Sequence, residues 1–173
     1  MRPPRFRLAK ALIVAIIIIL LAPVSALPTG TQTARAFQSP ARSFFGMNLY
    51  VTGQERPKDQ KYDMLNSAVD LDVKWSREEV SWANLEPDKK GIYNWTSFDF
   101  WVDQLVQRGI GVIGTIQTTP YWASGIKTSQ PNWYWNAPRN PQDFVDFAYT
   151  AALHYAGKIN VWEIWNEPDV EGT

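Results

Sequence analysis

The residues best suited to acid–base chemistry stand in the stretch EIWNEPD, residues 163–169. Glu167 lies between Asn166 and Pro168, directly after a predicted buried strand and close to Trp165. An apolar pocket raises the pKa of a carboxyl group and so allows it to donate a proton near neutral pH. Glu167 is therefore the candidate general acid, and a structural glutamate that caps a turn is the alternative.

The other glutamate of this stretch, Glu163, does not have the spacing of a catalytic partner. If the strand stays extended, Glu163 and Glu167 share one side but lie roughly 13 Å apart. Glu163 is then an interior charge that needs a partner of its own. Arg77, at the end of another predicted strand, is the candidate, and a surface position for Arg77 is the alternative.

Three further glutamates, Glu78, Glu79 and Glu86, are also potential acids. Glu78 and Glu79 follow Arg77 directly and could reach a cleft. Glu86 also precedes a proline, but it lies beyond the strand in a loop rich in charge and is not expected to act in catalysis.

The elements that must position these residues alternate between strand and helix. Strands are predicted at residues 44–49, 73–77, 111–116 and 159–165. Helices are predicted at residues 58–69, from a Thr96 or Ser97 cap to Gly109, and from an Asn140 cap to Gly157. This β-α-β-α-β-α-β order indicates parallel strands joined by right-handed crossovers.

Two architectures fit that order, a doubly wound open sheet and part of a (β/α)8 barrel. No Gly-x-Gly-x-x-Gly motif or P-loop follows a strand, which disfavours a nucleotide-binding sheet. The long loops all follow the carboxyl ends of strands, which is where a barrel keeps its active site.

The amino-acid composition limits the kinds of catalytic and metal-binding site that this chain can form. The chain has no cysteine and one histidine, His154, which excludes disulfides, thiolate nucleophiles and His-rich metal sites. Acid–base chemistry must then rest on carboxylates, and no cofactor or metal is expected.

Outside the basic first ten residues, thirteen basic residues stand against seventeen acidic ones, so no nucleic-acid partner is expected. Nine tryptophans serve either as core residues or as flat platforms for sugar rings.

The amino terminus has the pattern of a targeting segment. Residues 1–26 combine a basic stretch, an apolar run and a Val24-Ser25-Ala26 cleavage pattern, as in a secretory signal peptide. An uncleaved membrane anchor is the alternative. Residues 27–42 are predicted to be a linker and residues 43–173 the folded body, which we expect to be secreted or at the cell surface, without membrane contact after signal cleavage.

Clan A retaining glycoside hydrolases carry an Asn-Glu-Pro signature at the end of the fourth barrel strand, and this chain resembles them with WNEP at residues 165–168. Residues 77–124, REEVSWANLEPDKKGIYNWTSFDFWVDQLVQRGIGVIGTIQTTPYWAS, resemble the second and third barrel units of that clan. Residues 140–169, NPQDFVDFAYTAALHYAGKINVWEIWNEPD, resemble the third helix and fourth strand. The likeness is to family 39 β-xylosidase-like enzymes and, after them, to family 5 cellulase-like enzymes.

The resemblance implies roles for particular residues. Glu167 would be the general acid/base, Asn166 would bind the sugar 2-hydroxyl, and Arg77 would steady the nucleophile carboxylate. Glu163 would be structural support. Sugar contacts would come from four tryptophans, Trp122, Trp133, Trp135 and Trp165.

The resemblance also implies that the second carboxylate is a glutamate after the seventh strand, which these residues do not contain. A complete barrel takes about 250 residues, so we expect residues 43–173 to be the N-terminal half of a (β/α)8 barrel, about four β/α units. The chain is then a fragment that is inactive alone, with the missing C-terminal half-barrel as its partner. Two alternatives remain, a non-catalytic carbohydrate-binding protein and a different α/β enzyme in which the Asn-Glu-Pro turn is coincidental.

Overall fold

The computed structural model describes residues 45–53, 56–126, 129 and 132–168. The predicted signal peptide and linker therefore lie outside the described residues. In chain order the elements are strand β1 (Gly46–Met47), helix α1 (Lys58–Asp70), strand β2 (Trp75–Ser81), helices α2 (Trp82–Leu85) and α3 (Thr96–Gln107), strand β3 (Gly111–Gln117), helix α4 (Tyr121–Ser124), a 3-10 helix (Trp133–Trp135), helix α5 (Pro141–His154) and strand β4 (Ile159–Ile164).

The four strands form one parallel sheet in the order β1-β2-β3-β4. Every crossover therefore advances the sheet in the same direction. A doubly wound sheet reverses its strand order at a switch point, and the described strands contain no such reversal. Of the two architectures that the sequence allows, this topology is the one found in a barrel.

Helix α5 begins where local sequence predicts. The Asn140 side-chain Oδ1 accepts a hydrogen bond from the Gln142 backbone N–H at 3.2 Å, and Pro141 occupies the first helical position. Phe147 and Ala151 lie on its buried face. Through Phe147 the helix packs against Trp82 of α2, with the two rings stacked.

Helix α3 buries the predicted apolar stripe of Phe98, Trp101, Val102 and Leu105. Its start differs by one residue from the prediction, because Thr96 is already helical and Trp95 precedes it without a side-chain cap. The helix ends before Gly109, whose φ of +73° lies in the left-handed region that glycine adopts at low cost.

The sheet has two chemically different faces. The face against the helices, called here the helix face, carries Val80, Val112 and Ile116, all of them in the hydrophobic core. The opposite face, called here the inner face because a closed barrel would enclose it, carries Arg77 and Glu163. Strand alternation separates the two sets.

Most of the described tryptophans are structural. Trp82 is fully buried and stacks on Phe147, with ring centroids 5.6 Å apart, and Trp101 lies in the core beside Tyr62. His154 has a packing role, since its ring stacks on Trp95 at 4.7 Å and its Nε2 lies 2.8 Å from an Asp99 oxygen. Among the described helices, none has the length and apolar character needed to cross a bilayer.

Candidate active site

Backbone strain marks the edge of the sheet at which the strands end. Positive φ angles occur at Tyr50 after β1 (53°), Thr118 after β3 (65°), and Trp165 and Glu167 after β4 (66° and 48°). Such angles are uncommon outside glycine, and a β-branched residue such as Thr118 is a clear outlier. Strained residues cluster at functional sites. The carboxyl edge, where a barrel keeps its catalytic groups, therefore concentrates the strain of this fold.

One guanidinium organises the centre of this edge. Arg77 Nε donates to Glu163 Oε2 at 2.6 Å, and Arg77 Nη2 donates to Asn166 Oδ1 at 3.1 Å. Thr115 Oγ1 donates to the same Glu163 oxygen at 2.8 Å. The structure thus contains the Arg77–Glu163 pair that strand alternation predicts, and only a quarter of the Arg77 side chain is exposed.

The contact with Arg77 decides the orientation of the Asn166 amide. A guanidinium carries only donors, so the amide oxygen must face it. The amide N–H2 of Asn166 then points away from Arg77. Asn166 is half-buried, and this arrangement makes it a donor whose direction is set by two strands of the sheet.

Glu167 lies exposed just beyond Asn166 at the carboxyl edge. This is the placement expected of a catalytic residue in a barrel. A position of Glu167 away from this edge would have favoured the alternative of a different α/β enzyme with a coincidental Asn-Glu-Pro turn.

The expectation that Trp165 continues the inner face of β4 is wrong. Its backbone N–H still bonds to the Ile116 carbonyl at 2.7 Å, but its φ of 66° ends the extended geometry. Its ring lies 6.0 Å from that of Phe144 on α5 and 6.5 Å from that of Trp135. The estimate of roughly 13 Å between Glu163 and Glu167 assumed an extended chain, and the turn at Trp165 removes that assumption.

The four candidate sugar-contacting tryptophans do not form a single cluster. Trp135 and Trp165 line a cavity of about 480 Å³, mostly apolar, with Phe144 and Pro168 also in its wall. Trp122 lies elsewhere, edge-on to Trp82 and donating its indole N–H to the Glu86 carbonyl at 2.8 Å. Trp133 packs against Tyr121 at 6.5 Å.

Glu78 does not reach a cleft, contrary to one expectation. Its side chain points to the helix face and is fully buried. Oε2 accepts hydrogen bonds from Thr52 N at 3.0 Å and Thr52 Oγ1 at 2.8 Å, and Oε1 is bonded to Ser76 Oγ. Burial raises the pKa of Glu78, and these hydrogen bonds oppose that rise only in part.

A buried lysine near Glu78 was missed from the sequence. Lys61 is only 4% exposed, donates to the Gly53 carbonyl and lies over the Trp101 ring at 4.9 Å. Burial lowers the pKa of Lys61, and the charge of Glu78 partly counters this. Its place among polar residues of α1 carries no signal of burial, since the residues that cover it, Gly53 and Trp101, belong to other parts of the chain.

Glu86 is a structural residue rather than an exposed loop acid. It is 1% exposed, and its carboxylate accepts from Trp82 Nε1 at 2.6 Å and from the Gly91 backbone N–H. Within the described ranges, no three His, Cys, Asp or Glu side chains are grouped as metal ligands.

The fold, though not the sequence, matches known proteins. No protein-family model and no curated protein matches the chain. A family 39 glycoside hydrolase from Bacteroides cellulosilyticus WH2 is similar in structure, with a TM-score of 0.53 at 19% identity over 65% of this chain and 23% of that one. A β-glucosidase from Exiguobacterium marinum gives 0.50 at 21% identity, over 63% of this chain and 24% of that one.

The chain has the fold of part of a (β/α)8 barrel. It spans about a quarter of the length of the two solved structures just named. The resemblance to clan A glycoside hydrolases is thereby confirmed at the level of the fold. The roles of individual residues are not decided by that similarity.

Proposed function

We propose that this barrel portion carries the acid/base side of a retaining glycosidase that hydrolyses O-glycosidic bonds in oligo- or polysaccharides. The observation that supports this most is the Arg77 fork, which holds Glu163 and Asn166 beside Glu167 at the carboxyl edge of the sheet. The similarity of the fold to that of glycoside hydrolases supports a carbohydrate substrate.

In the proposed reaction Glu167 protonates the glycosidic oxygen as the leaving group departs. A second carboxylate attacks the anomeric carbon and forms a covalent glycosyl intermediate, and Glu167 then takes a proton from the water that hydrolyses it. Asn166 donates an N–H to the sugar 2-hydroxyl, a contact that strengthens in the transition state. Arg77 acts through Asn166 by fixing its amide.

The nucleophile in this proposal comes from further barrel units. The inner face carries Glu163, but its Oε2 already accepts from Arg77 and Thr115, so it serves as support. We therefore propose that residues 43–173 need a complementary half-barrel for turnover and that without it they are inactive or nearly so. Export through residues 1–26 remains part of the proposal, because carbohydrate polymers lie outside the cell.

A second candidate function is carbohydrate binding without catalysis. The cavity lined by Trp135 and Trp165 favours it, since aromatic faces suit the apolar faces of sugar rings. The two functions differ in what they require of Glu167. Binding of xylan or glucan fragments that is unchanged by Glu167→Gln, without hydrolysis, would support the binding function.

The proposed function is tested on the product of the complete reading frame that contains residues 1–173. Its activity is measured with aryl β-glycosides of activated and poor leaving groups, and the anomer first released is read by NMR. We expect retained configuration, and we expect Glu167→Gln to slow poor leaving groups strongly but activated ones much less in the first step. Equal loss for every leaving group, or inverted product, would contradict the proposal.

A further inference from the structure

The inner face becomes polar toward its carboxyl edge. Parallel pairing places Glu79, Thr115 and Glu163 side by side in one row across β2, β3 and β4. The row below consists of Arg77, Ile113 and Val161, and the row above contains Ser81 and Gln117. Glu79 therefore lies in the same row as Glu163 and one pleat nearer the catalytic edge than Arg77.

The side chain of Glu79 points to the same face as that of Glu163. Both Arg77 and Glu79 belong to the unbroken strand β2, two residues apart, so their side chains share a face. Arg77 is placed on the inner face by its bond to Glu163. The neighbouring Glu78 points the other way, into the core, where Thr52 and Ser76 hold it.

Among the residues that the structure describes, no donor bonds the Glu79 carboxylate. Apart from the strand ladder, the described bond of Glu79 is made by its backbone carbonyl, which accepts from Thr52 Oγ1 at 3.4 Å. The described bonds of the nearest donors go to other residues. Arg77 bonds Glu163 and Asn166, and Thr115 bonds Glu163. The half-buried carboxylate therefore keeps its two oxygens available to donors of a ligand at this edge.

We propose that Glu79 is a specificity-determining residue that accepts hydrogen bonds from the 3- and 4-hydroxyls of the sugar held by Asn166. This inference rests on the proposed function. A carboxylate has two acceptor oxygens and no donor, which suits two adjacent hydroxyl groups. Asn166 supplies donors from the opposite side.

The spacing allows both residues to reach one sugar ring. Two interstrand steps of about 4.8 Å place the Cα atoms of Glu79 and Glu163 roughly 10 Å apart. Asn166 lies just beyond Glu163 in the chain and is tied to Arg77, one pleat below Glu79. A single ring can therefore lie between the two side chains at the carboxyl edge, with its 2-hydroxyl toward β4 and its 3- and 4-hydroxyls toward β2.

The experiment uses the complete reading-frame product with a 4-nitrophenyl β-glycoside and its 3-deoxy and 4-deoxy analogues. We expect Glu79→Gln to lower kcat/KM on the parent glycoside by about 10–100-fold, the range for a hydrogen bond to a charged group. On the deoxy analogue that lacks the contacted hydroxyl, the loss should fall below about 3-fold, because the interaction is already gone. The isosteric change keeps the side-chain volume on this face.

The matched control is Asp63→Asn, which neutralises an exposed carboxylate on α1 away from the sheet and should leave all three rates unchanged. Glu79→Asp, which keeps the charge but shortens the reach, should lose less than Glu79→Gln on the parent. Equal losses on the parent and both deoxy analogues, or no loss at all, would overturn the role of Glu79 alone. Failure of the unmodified protein to hydrolyse the parent would overturn the proposed function and this inference with it.

Discussion

Nη2 of Arg77 lies 3.1 Å from Oδ1 of Asn166, while Nε of the same guanidinium lies 2.6 Å from Glu163. One side chain on β2 thus aligns the end of β4 with the turn that follows it. The planar fork of arginine makes both contacts at once, and a lysine ammonium does not reproduce that geometry.

Arg77→Lys should therefore lower kcat/KM by about 10–100-fold on a glycoside with a 2-hydroxyl, the cost of one to two charge-assisted hydrogen bonds. On the 2-deoxy glycoside the loss should be smaller, because Asn166 has nothing to donate to there. Steady-state kinetics on the two substrates check this. The control is Arg108→Lys, at the residue that follows α3, whose guanidinium donates to Gln104. A similar loss in both variants would show that Arg77 has no special role.

The buried carboxyl of Glu78 predicts a stability that depends on pH. Its pKa is raised by burial above the ordinary value of 4.5, so the folded chain holds a proton that the unfolded chain has released. Between those two pKa values the free energy of unfolding must fall as pH rises, and above the folded pKa it levels off. Urea unfolding at a series of pH values above 4.5 measures this slope.

Glu78→Gln should remove that slope. The amide oxygen can accept the two bonds from Thr52, and the amide nitrogen can donate to Ser76 Oγ, so the network stays satisfied. We expect the variant to match the unmodified protein at low pH and to exceed its stability at neutral pH. A slope that persists in the variant would assign the pH dependence to other groups.

Glu86 should be important for stability and not for proton transfer. Glu86→Ala removes the acceptor of the buried Trp82 indole N–H and of the Gly91 backbone N–H. A buried donor left unsatisfied costs about 1–3 kcal/mol, so we expect the Trp82 indole N–H alone to lower the free energy of unfolding by about that amount. Glu86→Gln, which retains one acceptor oxygen, should lose less, and a variant as stable as the original would contradict the structural role.

The cap of α5 should contribute locally. Asn140→Ala removes the bond to the Gln142 N–H, and we expect it to cost about 1 kcal/mol of stability. Because Asn140 makes no described contact with Glu163, Asn166 or Glu167, the pH profile of kcat/KM should keep its shape. Denaturant unfolding and the pH profile together check this, and Gln142→Ala, which keeps the backbone N–H, is the control.

Sequence patterns predict the elements of this chain well where local chemistry decides them. The Asn140 cap, Pro141 and the left-handed Gly157 bracket α5, and the apolar stripe of α3 is the buried one. The pairing of Arg77 with Glu163 follows from strand alternation alone. These features depend on the periodicity of side chains and on the order of residues along the chain, and both can be read directly from a sequence.

The features that sequence patterns miss depend on contacts between distant residues. Glu78 and Glu79 are adjacent glutamates. The alternation of side chains along β2 places Glu78 in the core and Glu79 on the inner face. Thr52, which holds Glu78, lies 26 residues earlier. The strand ends at Trp165 because the backbone there has a positive φ, which a tryptophan rarely adopts. The helix and strand propensities of tryptophan do not predict such an angle.

The strand order equals the chain order, and this has a consequence for synthesis. Each strand pairs with the one that preceded it on the ribosome, so no strand must wait for a distant partner to emerge. Pairing each strand with its predecessor keeps the partners as close in sequence as a parallel crossover connection allows. The sheet can grow unit by unit during translation, and β4, carrying the Arg77-bound Glu163, is the last of the described strands to join it.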